Sequence, residues 1–298
     1  MMYRFAISLR VIFTVVFITA LIMVFYVDSL GAMDWPSQEA VMVRNFGWND
    51  RGKPVLGTVF EGEGPVLAAE TGEVIFSRRK DDIASRLPSP LGAWTALDHG
   101  DGLISIYSRY EDSGVIRRSG VERQSPIASA GTSGWSSRKG FYFILYDRRE
   151  RRWINPSMII TPFHDTRPPQ ILTVDLRNAQ GALIPRGQTR MGQGRHTILV
   201  AVSDTMLDAR ESPLAPHRIV CSVNGAEIGS LNFETISARD GVLMVYRNGL
   251  APVKQVYAPF PAFEAGEVFL TRGQASLEII VQDIAGNSRG TITRMIVE

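Results

Sequence analysis

The chain holds one cysteine, Cys221. That excludes an intrachain disulfide and any site built from several thiolates. Within Ile219-Val220-Cys221-Ser222-Val223 it reads as a small buried hydrophobe. Histidine is nearly as scarce: none of the 4 precedes His99, and His164, His196 and His217 share no ligand spacing. These three read as surface or hydrogen-bonded structural groups. An excess of one charge is also missing, with 32 Lys and Arg against 30 Asp and Glu. The basic clusters Arg78-Arg79-Lys80 and Arg148-Arg149-Glu150-Arg151-Arg152 have no basic stripe or nucleic-acid motif around them. They read as solvated loops or sheet edges, and no nucleic-acid partner is expected. Ser133 lacks the Gly-x-Ser-x-Gly elbow of a nucleophile, and Gly131 to Gly134 lacks the Lys-Ser/Thr of a phosphate loop, so this stretch reads as tight turns. Asp81-Asp82 and the pair Glu61 and Glu63 read as solvated carboxylates rather than a glycan-cleaving pair.

What is present is enough for a substantial folded protein. The 298 residues are 45% apolar and 21% charged, which suits two cores of ordinary size. Near the amino terminus, Arg4 and Arg10 precede an apolar run from Val11 to Val27, long enough for a helix of about 25 Å. We read residues 1–30 as an uncleaved signal-anchor helix. A signal cut after Ala32 is the alternative, disfavoured by Leu30 where a small residue is preferred. The positive flank would stay in the cytoplasm, leaving the rest of the chain in the periplasm or otherwise outside. Residues 31–39 read as a stalk.

From Ala40 to Phe163 the apolar segments are short and punctuated by Gly and Pro, with no sustained 3.6-residue period. Candidate strands are Val66 to Ala69, Glu73 to Phe76, Trp94 to Leu97, Leu103 to Tyr107 and Phe141 to Leu145. Lys80 to Leu91, with Pro88 and Pro90, reads as a surface loop. Residues 164–170, which include Pro168-Pro169, read as a linker between regions 40–163 and 171–298. In the second region, Ile198 to Val202 has the pattern of a strand buried on both faces. Leu277, Ile279 and Val281 should share one face, with Glu278 on the other. Turn signals recur at Asn224-Gly225, Asn248-Gly249 and Gly286-Asn287. The expected fold is mostly β, closing in an immunoglobulin-like sandwich, although the Cys-Trp-Cys core of that fold is absent.

An ordered series of motifs in the first region resembles the LytM-type domain of the M23 zinc endopeptidases, which cut peptidoglycan cross-links. Phe46-Gly47-Trp48 is similar to the family's early Phe-Gly-aromatic element. Gly64-Pro65-Val66-Leu67-Ala68 and Gly72-Glu73-Val74 fit its strand-turn-strand. Asp98-His99-Gly100-Asp101-Gly102 fits its inter-strand turn and Tyr107-Ser108-Arg109 its Tyr-x-His element. Gly131 to Gly134 and Asn155-Pro156 match the approach to the final strand and its closure.

Placed on that pattern, the family's His-x-x-x-Asp ligand pair falls at Val55 and Val59, and its His-x-His pair at Gly140 and Tyr142. Arg109 takes a catalytic histidine's position. Valine and glycine offer a metal no side-chain lone pair, and arginine stays protonated. The resemblance therefore implies a domain without zinc, with no catalytic residue and no cofactor. Asp98, His99, Gly100 and Gly102 would be structural turn residues, and Val55, Val59, Arg109, Gly140 and Tyr142 would line a former cleft. It further implies a membrane-tethered regulator or scaffold whose partner is a peptidoglycan hydrolase or another envelope protein. A peptidoglycan-binding module and a hydrolase of unfamiliar design remain the alternatives.

Overall fold

The computed structural model describes residues 33–79, 88–111, 120–205 and 212–298. The expected anchor helix of residues 1–30, the pair Asp81-Asp82 and most of the Lys80 to Leu91 loop lie outside the described residues. Among the described residues, no helix is long and apolar enough to cross a membrane. Residues Asp34–Glu298 form one compact unit. Among its described residues, that unit is built from antiparallel strands, apart from short 3-10 turns at Pro156–Met158 and Val253–Gln255 and one parallel pairing, Arg190–Met191 with Ser288–Val297.

The strand Gly140–Asp147 organises the first region. Phe141 to Leu145 is an unbroken apolar run and all five residues are buried, as expected for a strand covered on both faces. Along one edge it pairs with Leu103–Ser108, setting Tyr142 opposite Ser108 and Phe143 opposite Tyr107. Trp94–Asp98 and Gly72–Arg78 extend the sheet on that side. Along the other edge, Thr58–Glu61 pairs first, with Tyr142 opposite Val59. Arg152–Ile154 then takes over, with Leu145 opposite Ile154. The Arg148 to Arg151 cluster is the exposed turn of this last hairpin. Its charges meet acids of neighbouring turns, Arg148 with Asp98 at 3.4 Å and Arg149 with Asp101 at 3.0 Å.

In the second region, two antiparallel sheets enclose one core. Gln170–Asn178, Gly194–Ser203 and Ala262–Leu270 form the smaller sheet. The facing sheet contains Arg218–Val223, Ala226–Arg239, Gly273–Gln282 and Ser288–Val297. Ile198, Val200 and Val202 from one sheet join Ile219, Cys221, Phe233, Ile279 and Val281 from the other. Alternation along Gly273–Gln282 is as expected: Leu277, Ile279 and Val281 point inward, while Ile280 is exposed. Asn224 and Gly225 adopt φ of 51° and 82°, the two positive values that close a tight hairpin between Arg218–Val223 and Ala226–Arg239. Cys221 is buried in this core, which pushes its thiol up to about 12 and leaves it unreactive.

Hydrogen bonding runs across both regions without a break. Arg152–Ile154 pairs with Gly140–Asp147 on one edge and with Thr235 to Ser237 on the other. Asn155, buried at this junction, donates through Nδ2 to Phe233 O at 3.0 Å, and its Oδ1 accepts from Ser157 N at 3.1 Å. The segment leading into Val55 is fastened to the second region as well. Phe46 is fully buried in that region's core. Asn45 exchanges two bonds with the Ala215 backbone at 2.8 and 2.7 Å. Tyr257 donates its hydroxyl to Gly47 O at 2.9 Å, and Asn49 Nδ2 donates to Ala258 O at 2.8 Å.

Candidate functional site

Of the five positions Val55, Val59, Arg109, Gly140 and Tyr142, strand register and ring contact bring Val59 and Arg109 to Tyr142. Val59 lies directly across from Tyr142 on one neighbouring strand, and Ser108 lies across on the other. Arg109 follows Ser108 with φ of 66°, a left-handed value that lifts its side chain out of the sheet's alternation. Its guanidinium carbon sits 4.9 Å from the Tyr142 ring centroid, a cation–π distance. The Tyr142 hydroxyl accepts a 3.0 Å hydrogen bond from Leu56 N–H, closing over the residue next to Val55. Burial in this setting pushes the phenol up to about 12, so it stays protonated.

Gly140 has no room for a side chain. A Cβ there would lie 1.9 Å from Phe60 O, a backbone atom, and Gly140 exchanges two 2.8 Å hydrogen bonds with Gly131. Gly57, between Val55 and Val59, is equally confined: its Cβ would lie 2.1 Å from Phe143 O. These two close approaches fix Thr58–Glu61 against Gly140–Asp147 at both ends of their pairing. Gly140 and Tyr142 are buried, so the surface here belongs to the half-buried Val55, Val59 and Arg109.

Arg109 is the polar feature of this surface. Among the described residues no carboxylate pairs with it, and its buried Nε has no hydrogen-bond partner. Its backbone N–H donates to Leu91 O at 2.8 Å. Trp135, anchored by a 3.1 Å bond from its N–H to the adjacent Pro90 O, is 76% exposed. Only the Gly-Thr-Ser-Gly-Trp composition around Trp135 was visible in the sequence, and composition does not reveal which ring faces water. Ser133 uses its hydroxyl to accept from Ala93 N–H at 3.0 Å, so it is part of the turn framework.

The Asp98 to Gly102 run is the hairpin turn between Trp94–Asp98 and Leu103–Ser108. Gly100, Asp101 and Gly102 all have positive φ, and Asp98 Oδ1 accepts from Gly100 N–H at 2.9 Å. His99 points away from this turn into a buried polar chain. Its Nδ1 lies 2.8 Å from Thr71 O and its Nε2 lies 2.7 Å from Ser105 Oγ. Ser105 Oγ is in turn 3.0 Å from the Tyr107 hydroxyl, which accepts from Ala69 N–H at 2.8 Å. A carbonyl only accepts, so Nδ1 carries a proton, and burial holds the ring below its usual range in the neutral form. Both ring nitrogens are therefore engaged in joining two strands and a loop.

Residues 56–156 match the model of Peptidase family M23. A second family model, carrying no description, matches residues 168–298. No curated protein matches the chain. Among solved structures, the catalytic domain of the prophage-encoded M23 protein EnpA from Enterococcus faecalis is similar at 18% identity, over 42% of this chain and 95% of that one, with a TM-score of 0.35. The SpoIIQ–SpoIIIAH pore-forming complex gives 18% identity, 44% and 92% coverage and a TM-score of 0.35. A zinc-containing peptidase from Vibrio cholerae gives 20% identity, 42% and 39% coverage and a TM-score of 0.35. The chain carries a LytM-like, M23-type domain within a mostly β structure.

Proposed function

We propose that this protein is a non-catalytic, membrane-tethered regulator or scaffold of peptidoglycan hydrolysis in the bacterial cell envelope. One observation carries the reading. At the M23-type site, Arg109 packs over the Tyr142 ring beside Val59 and Gly140; valine, glycine and a protonated arginine offer zinc no ligand, and the Tyr142 phenol stays protonated. Gly140 could not gain a ligating side chain without moving backbone. Among the described residues, the one group of three potential metal ligands that gathers anywhere lies outside this site. On this reading the second region is an immunoglobulin-like sandwich that holds the altered domain, and the amino-terminal segment tethers both to the membrane. A pull-down from envelope extracts with the full chain tests it. A peptidoglycan hydrolase should be recovered, and an R109E variant should recover less; recovery of no envelope protein would count against the reading.

A second reading has its own support in the Arg109 cation, which no carboxylate among the described residues pairs with, and in the exposed Trp135 ring, both anchored on the Pro90-Leu91 backbone. Arginine pairs with carboxylates and an indole face stacks on sugar or peptide planes, so this surface suits peptidoglycan stem peptides. Cosedimentation with sacculi should then retain the wild type and release W135A. Zymography addresses an active hydrolase of unfamiliar design, which predicts a lytic band where the first reading predicts none.

A further inference from the structure

Three aspartates from three separate segments meet beside the second region. Asp165 lies in the extended stretch that leaves the M23-type domain, Asp204 follows the strand Gly194–Ser203, and Asp283 follows the strand Gly273–Gln282. One carboxylate oxygen from each lies within 4.8 Å of the others. Asp204 and Asp283 are only 5% and 2% exposed. Asp204 Oδ1 is buried and has no hydrogen-bond partner among the described residues. Among the described residues, the ion pairs of this part of the chain, such as Arg177–Glu264 and Arg186–Asp175, leave all three aspartates out. Like charges gathered out of water with an acceptor left unused are costly unless a cation joins them.

The other two carboxylates are held in place as acceptors. Asn287 donates from its backbone N–H to Asp283 Oδ1 at 2.9 Å and from Nδ2 to Asp283 Oδ2 at 2.8 Å. The same Nδ2 reaches Asp165 O at 3.1 Å, linking the turn after one strand to the connecting stretch. Arg167 N–H donates to Asp165 Oδ1 at 3.0 Å. The Asp283-Ile284-Ala285-Gly286-Asn287 turn therefore orients one carboxylate and tethers the segment that supplies another.

We infer that Asp165, Asp204 and Asp283 bind one Ca2+ ion, which clasps the segment joining the two regions to the ends of two sandwich strands. The donors are all hard oxygens, with no imidazole or thiolate among them, which disfavours zinc. Ca–O distances of about 2.3–2.6 Å place opposite ligands roughly 4.6–5.2 Å apart, so oxygens within 4.8 Å of one another can share that ion. Mg2+ draws its ligands closer and demands near-ideal octahedral geometry, which three acids on independent segments do not supply.

The test is thermal unfolding of the purified full chain in detergent, with chelator or with about 10 mM Ca2+ or Mg2+. Ca2+ should raise the Tm by roughly 5 °C, the shift given by about hundredfold saturation of one site in a domain of this size. Mg2+ should give much less, and calcium titration should saturate at one ion per chain. D204N and D283N should lose the Ca2+-dependent shift and, in chelator, unfold no lower than the wild type because charge crowding is relieved. D165N, at a partly exposed position outside any strand, gives the same readout should the buried variants fail to fold. An equal Tm with Ca2+ and with chelator, or an undiminished shift in all three variants, would overturn the inference. Equal stabilisation by Mg2+ would overturn the choice of calcium.

Discussion

Replacing Gly140 by alanine gives the sharpest test of how the M23-type site is built. The added Cβ would stand 1.9 Å from Phe60 O, whereas C···O contacts normally begin near about 3.3 Å. Strand Thr58–Glu61 or Gly140–Asp147 would have to retreat by roughly 1.4 Å, the difference between those separations. The retreat cannot be confined to a flexible side chain, because the obstructing atom is backbone. Phe60 is 1% exposed and stacks on Phe141 with ring centroids 4.8 Å apart, so the shift also disturbs a close-packed aromatic pair. Overpacking of this kind costs about 1–3 kcal/mol. Weakening the two Gly140–Gly131 hydrogen bonds adds about 1 kcal/mol each. A total of roughly 3–5 kcal/mol corresponds to a Tm lower by about 10 °C in a domain of this size. Urea and thermal unfolding followed by circular dichroism measure it. A G140A protein whose Tm lies within about 2 °C of the wild type would refute the close-approach argument. The position could then accept a side chain, and the exclusion of a ligand there would rest on residue identity alone.

Further outcomes follow from the same geometry. Y142F removes the acceptor of the buried Leu56 N–H while keeping the ring under Arg109, so it should lower the unfolding free energy by about 1–3 kcal/mol in urea titrations. His99 is held below its usual range by burial, so the unfolded chain takes up this proton first as pH falls. Stability from His99 is fully present above the unfolded-state value of about 6.5 and declines below it. His217 is lowered likewise, so H99Q should reduce but not abolish the fall in unfolding free energy from about pH 7 to pH 5. Asn155→Ala leaves Phe233 O and Ser157 N without their partner at the sheet junction and should cost about 1–3 kcal/mol. A fragment ending at residue 163 would expose fully buried Phe46 and the unpaired edge of Arg152–Ile154. It should aggregate or unfold without a cooperative transition by calorimetry.

Much of the strand framework was legible because its signals are local. The apolar run Phe141 to Leu145 is a doubly covered strand, the Leu277, Ile279 and Val281 alternation gives one buried face, and Asn224-Gly225 closes a hairpin. Long-range pairing was not legible. Arg152–Ile154 is a short strand beside an arginine cluster, and no local pattern states that its second edge belongs to Thr235 to Ser237. Phe46 could be matched to a family element, yet its burial in the other region's core depends on chain returning from far away. At the site, the residue identities were visible, but the packing of Arg109 on Tyr142 depends on a left-handed φ at residue 109. The Asp165, Asp204 and Asp283 group was missed because its members come from three distant segments and share no spacing. The Asp283 to Asn287 turn was the one local sign of it.

The site around Tyr142 and the second region are physically dependent on each other. Val55 and Val59 follow directly on a segment held by Asn45 to Ala215, Asn49 to Ala258 and Tyr257 to Gly47. At the far end of the same central strand, Arg152–Ile154 continues the sheet into the second region. The surface around Arg109 is therefore fixed from two sides by contacts that a free M23 domain would have to supply alone. A zinc ion normally cross-links ligands from separate strands and contributes stability in doing so. The Tyr142 hydroxyl reaching Leu56 N–H, the Arg109 contact and the Gly57 and Gly140 close approaches also join strands here. Tyr142→His would remove the Leu56 bond and the Arg109 contact together. These contacts and the attachment to the second region thus reinforce one another and hold the surface around Arg109 in one arrangement.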